Sequence, residues 1–179
     1  MTNQSFDDFV NQRSKASEKN KIDWDAKLKD WKRYLSIFHG KVEEFLKSYI
    51  ESEKLTVTKR GIGLREEYIG SYEVDALDIF LGDTKITLTP IGTNLIGAKG
   101  RVDMKGPRGT VKFVLVPKDS SGPRISVQVR IQGEEAPAKE EIKLITDWEW
   151  KISTPPPRIN YIELEEESFK TALMEVVNG

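Results

Sequence analysis

Between residues 24 and 49 apolar side chains return at alternating intervals of four and three: Trp24, Leu28, Trp31, Leu35, Phe38, Val42, Phe45 and Tyr49. An unbroken 3.5-residue repeat lines these side chains along one side of a helix, and the spacing predicts that helix over 22–52. Its other side is charged. Asp23 and Lys27, Asp25 and Lys29, and Glu43 and Lys47 each set an acid four residues ahead of a base, the order that supports an exposed helical face. Upstream, Ser5 followed by Asp8 carries a helix-start signal, and Phe6, Phe9 and Val10 form a small apolar face. A single helix over 6–52 would be about 70 Å long, against about 40 Å for a compact chain of this size. A break near Asn20 is therefore expected, and Gly40 is expected to mark a kink or a close backbone approach.

From residue 55 the period falls to two. LTVTKR, SYEVDALDIFLG, TKITLTPIG, KGRVDMKG, TVKFVLVP and RISVQVRIQ read as strands, separated by turns at Gly82-Asp83, Gly106 to Gly109 and Asp119 to Pro123. Turns this short make neighbouring strands antiparallel. In TVKFVLVP both alternating sets are apolar, which predicts a central strand covered on both sides. The alternation in SYEVDALDIFLG slips between Ala76 and Leu77, where a bend with a β-bulge is expected. GEEAPAKEEIK (133–143) reads as a mobile loop. Beyond it come a strand with Trp148, Trp150 and Ile152 on one face, a stiff extended TPPPR connector and a last strand, INYIEL. A terminal helix then carries Phe169, Ala172, Leu173, Val176 and Val177 on one stripe.

The fold class predicted is α+β: a long N-terminal helix covering a curved, mainly antiparallel sheet, as a partial barrel or a sandwich, with a short C-terminal helix. Two segments are expected, a helical one over 1–53 and a β body with the terminal helix over 54–179. The aromatic seam is read as a lid over the sheet. Trp24, Trp31, Phe38 and Phe45 are bulky for the core of a two-stranded coil, so dimerisation through this helix is the lesser reading.

Composition narrows the chemistry. With 179 residues, 37% hydrophobic and 32% charged, the chain is ordinary for one globular core, and no apolar run approaches the roughly 20 residues of a membrane span. The polar, acidic start lacks the form of a secretory signal, so a cytoplasmic protein is expected. Cysteine is absent, which excludes disulfides and thiolate chemistry. A net charge of -1 provides no global field, so a charged partner must meet a local patch.

One such patch stands out. GTNLIGAKGRVDMKGPRGTVK (92–112) carries Lys99, Arg101, Lys105, Arg108 and Lys112 against the single acid Asp103, among five glycines that would let a backbone approach a ligand. This is the candidate anion or partner surface, for nucleic acid or a phosphorylated ligand, although solvated hairpin ends explain the same residues. It is not a Walker loop, because Ala98 displaces the lysine to 99 and Gly100 then follows it in place of Ser or Thr. His39, the single histidine, is expected at the solvent edge of the helix. Glu73 and Asp75 would share a strand face among Glu66, Glu67 and Asp78, a pattern that also suits a carboxylate-dependent hydrolase, with an ordinary charged outer face as the plainer reading. Trp148 and Trp150 are expected in the core. No catalytic residue, metal site or cofactor is expected. The functional expectation is a non-enzymatic binding or adaptor protein with a protein partner.

Overall fold

A computed structural model describes residues 23–93, 97–123 and 147–179. The expected break near Asn20, the strand over 124–132 and the loop over 133–143 lie outside the described residues. Helix α1 spans Trp24–Glu51 and is followed by strands β1 (Thr56–Glu66), β2 (Gly70–Leu81), β3 (Thr84–Gly92), β4 (Gly100–Lys105), β5 (Thr110–Pro117), β6 (Trp148–Ser153) and β7 (Tyr161–Glu163), and by helix α2 (Glu166–Asn178). The strands form one open sheet in chain order, each antiparallel to the next. This is the α+β architecture that the two periodicities predict.

Asp23 caps α1, its carboxylate accepting the Ala26 amide at 2.9 Å. The helix lies on the inner face of the sheet, where Leu77, Ile79, Ile86, Leu88, Val102, Met104, Phe113 and Trp150 are buried with Trp31, Leu35, Phe38 and Val42. At the centre Phe38 meets Trp150 and Phe113 at ring-centroid distances of 4.9 and 5.1 Å, tilted by 48° and 59°. The Trp150 indole donates to the Tyr34 carbonyl at 2.8 Å, so even the polar edge of this cluster has a partner. Trp150 is core, as expected, while Trp148 is only half-buried.

The seam departs from its heptads toward the end of the helix. An α-helix drifts about 20° per heptad from a 3.5 repeat. Phe45 consequently turns to the margin, and His39 and Leu46 are brought inward on the other flank. Gly40 makes no close approach, since a Cβ there would meet nothing within 4 Å.

The buried set of β2 switches between Ala76 and Leu77, where its alternation slips, but without the expected bulge against β1. The β1–β2 register runs unshifted from Thr56↔Phe80 to Glu66↔Gly70, whereas β3 pairs with β2 only from Leu77 onward. Ahead of Leu77 the two strands have no third neighbour among the described residues, and two-stranded ribbons twist more than sheets. The twist brings Tyr72 and Val74 inward at one end and Leu77 and Ile79 at the other. The register shift that is present falls between Pro90 and Gly92 of β3.

Both faces of β5 are buried, Val111, Phe113 and Leu115 on one side and Val114 and Val116 on the other, as expected of a central strand. The TPPPR segment is a reversal and not an extended connector. Thr154 closes it by donating its amide to the Asn160 carbonyl at 3.0 Å and accepting the Asn160 amide on Oγ1 at 2.8 Å, which returns the chain into β7.

Candidate functional site

The basic, glycine-bearing stretch is divided by the fold among three environments. Arg101, Lys105 and Lys112 point to the outer face of the sheet, away from the helices, because their neighbours Val102, Met104, Val111 and Phe113 point inward. Lys99 lies elsewhere: its ammonium bonds Asp30 of α1 at 2.9 Å and sits 4.8 Å over the Trp148 ring. Arg108 is at the exposed tip of the β4–β5 turn, where its amide donates to the Val176 carbonyl of α2 at 2.9 Å. The five residues therefore do not form one patch.

Two of the glycines serve the protein's own packing. A Cβ on Gly100 would fall 2.1 Å from Cζ3 of Trp31, and one on Gly106 would fall 2.4 Å from the Val176 carbonyl oxygen. These positions admit an indole of α1 and the C-terminal backbone of α2, in place of the ligand that the sequence suggested.

Among the carboxylates, Glu73 and Asp75 do share a strand face, exposed and opposite Gly63 and Gly61. Glu67 is exposed, while Glu66 and Asp78 are taken up by internal contacts. Glu66 accepts the Tyr72 hydroxyl, the Thr93 amide at 3.1 Å and the Thr93 hydroxyl at 2.8 Å, tying the end of the β1–β2 ribbon to the end of β3. Burial, and then this carboxylate, push the Tyr72 phenol upward. Asp78 is buried beneath Arg60 and Lys85, each 2.9 Å away, and the Arg60 guanidinium holds its carboxyl below the usual range. Among the described residues no group of three or more His, Asp or Glu side chains is placed to hold a metal ion.

His39 is not at the solvent edge. It is 6% exposed, its Nε2 has no hydrogen-bond partner among the described residues, and it faces Lys59 of β1, Asp75 of β2 and Glu43 of α1. Burial, reinforced by Lys59, lowers its pKa from the ordinary 6.5 to about 4. The unfolded chain thus takes up a proton near pH 6.5, and the folded chain only near 4. The resulting stability is complete above 6.5 and falls as the pH drops toward 4, by up to about 3 kcal/mol. His39→Leu is expected to flatten the melting temperature against pH over that window. An unchanged acid slope would show that His39 is not the group responsible.

An open groove of about 590 Å³ lies between the end of α1 and α2. Leu46 and Tyr49 line one wall, Leu173 and Met174 the other, and Leu55 and Leu81 the floor at the end of the sheet. Tyr49, Leu81 and Met174 are 38%, 42% and 57% exposed, so three large apolar side chains meet at one opening. On the α2 rim, Lys170 bonds Glu166 at 2.5 Å and lies 4.9 Å over the Tyr49 ring. That leaves Glu167 as the unpaired charge among the lining residues. The sequence reading missed this groove, although two signals were present. Met174 is off the stripe of α2, and Phe80-Leu81 puts adjacent apolar residues on opposite faces of a strand end.

Comparison with protein-family models, with curated proteins and with solved structures finds no match to this chain. No helix among the described residues is long and apolar enough to cross a membrane.

Proposed function

We propose that this protein is a non-enzymatic binding domain that docks a short amphipathic helix of a protein partner in the groove between α1 and α2. The observation that supports the reading is the convergence of Tyr49, Leu81 and Met174, exposed, on one concavity of about 590 Å³. Contiguous exposed apolar surface framed by polar residues is the usual mark of a docking site, and a helix presents apolar anchors at i, i+3, i+4 and i+7 to such a groove. The pairing of Lys170 with Glu166 leaves the Glu167 carboxylate on the rim, which suits a helix with Lys or Arg flanking its anchors. The space between α1 and the sheet is filled by Trp31, Phe38, Phe113 and Trp150, so that interior is a core and not a ligand cavity.

The reading is tested with a fluorescent synthetic peptide carrying leucines at helical spacing and lysines elsewhere. Its affinity is expected near about 10 μM, the range of transient helix-in-groove contacts, and to fall about tenfold or more in Met174→Glu, whose melting temperature should stay close to that of the parent. Equal binding by Met174→Glu, or equal binding of the same peptide with glutamate in place of lysine, overturns the proposal.

A further inference from the structure

The outer face of the sheet is unlike the face that holds the helices. The register places Thr58, Asp78, Thr87, Lys105 and Thr110 in one row across β1 to β5, and Thr89, Asp103 and Lys112 in the next. Arg60 and Lys85 join the same face through their bonds to Asp78, and Arg101 through its pair with Asp103 at 2.8 Å. Five cations from four strands thus stand over two acids. Both acids are already engaged, and Lys105 and Lys112 are exposed with no ion pair among the described residues. Threonine hydroxyls fill the positions between them.

At one corner the Phe80 ring is 37% exposed, with the Lys85 ammonium 5.4 Å from its centroid. A cationic track with hydroxyl donors and an accessible aromatic face is the chemistry that holds single-stranded nucleic acid, phosphates along the charges and a base on the ring. Among the described residues no helix projects from this face to enter a duplex groove, which favours a single strand over a double one. From Val114 of β5 onward this face is buried, through Val116 and through Lys151 against Glu163, and the track ends at Lys112.

We propose that the outer face of β1 to β5 binds single-stranded nucleic acid, with Lys105 and Lys112 as phosphate contacts and Phe80 as a stacking platform. This surface is on the opposite side of the sheet from the α1–α2 groove, and its test is independent of the groove.

The full chain is titrated into a fluorescein-labelled oligothymidylate of about 20 nucleotides at about 50 mM salt, with anisotropy as the readout. Binding is expected that weakens steeply with added salt. Lys105→Glu with Lys112→Glu should reduce affinity about tenfold or more, while Lys29→Glu with Lys32→Glu, the same charge change on the exposed side of α1, should leave it within about twofold. Phe80→Ala should reduce oligonucleotide affinity at least about threefold without changing the affinity for inorganic polyphosphate. The proposal is overturned by an absence of binding, by an equal loss in the two charge-reversed pairs, or by Phe80→Ala leaving oligonucleotide affinity unchanged.

Discussion

Gly100→Ala is expected to destabilise the protein by about 3 kcal/mol, a fall of roughly 6–12 °C in melting temperature for a chain of this length. The new methyl group would sit 2.1 Å from Cζ3 of Trp31, whose ring is 2% exposed. The indole has little freedom to retreat. Trp150 flanks it with ring centroids 6.0 Å apart, and Trp31 is fixed to a helix that also carries Phe38 into the same core. The strain must therefore displace α1 from β4 or distort β4 itself. A Trp31→Leu background separates these causes, because a smaller side chain removes the clash. There the alanine should cost about 1 kcal/mol or less, giving a coupling of about 2 kcal/mol in the double-mutant cycle. A drop below about 1 °C for Gly100→Ala in the parent would contradict the packing described here.

Phe38→Ala carries the second large effect, about 4 kcal/mol. Phe38 is fully buried at the crossing of α1 with β5 and β6, in edge contact with Phe113 and Trp150. Truncation removes the transfer energy of the ring, leaves a cavity that its two fixed aromatic neighbours cannot close, and forfeits two favourable ring contacts. Its neighbour Ile37 is 43% exposed, and Ile37→Ala should change stability by no more than about 0.5 kcal/mol. Urea unfolding of the pair provides the comparison. The midpoint should move for Phe38→Ala at nearly constant slope and stay in place for Ile37→Ala. Similar midpoints for the two variants would mean that the seam does not face the sheet.

Both experiments probe the same relation, a helix closing the concave side of a sheet, and that relation was legible before any coordinates. An aromatic stripe at helical spacing needs an apolar surface, and a β body with one apolar face needs a cover. The alternation of β4 and β5 likewise gave the direction of Arg101, Lys105 and Lys112, because in an extended chain each side chain is opposed to the next. The grouping of those cations was not legible. Lys99 precedes the first paired residue of β4, so alternation did not constrain it, and an aspartate 69 residues away on α1 claimed it. Arg60 and Lys85 join Lys105 and Lys112 only through cross-strand register, which the sequence leaves unspecified.

The sequence by itself determined the two described helices, strands β1 to β5 with their antiparallel order, and the inward set on most strands, because these depend on local periodicity and short turns. That β5 takes β6 as its second neighbour, where the turn at Asp119 to Pro123 pointed to the strand over 124–132, was not legible. Tertiary structure decided whatever depends on two distant segments meeting. His39 became a buried base because α1 drifts from its heptads as it crosses β1 and β2. Gly100 and Gly106, which read as an approach to a ligand, became seats for Trp31 and for the end of α2. The groove at Tyr49, Leu81 and Met174 exists because α1 and α2 leave one end of the sheet uncovered between them. A periodicity states which way a side chain points, and only the packed chain states what it meets there.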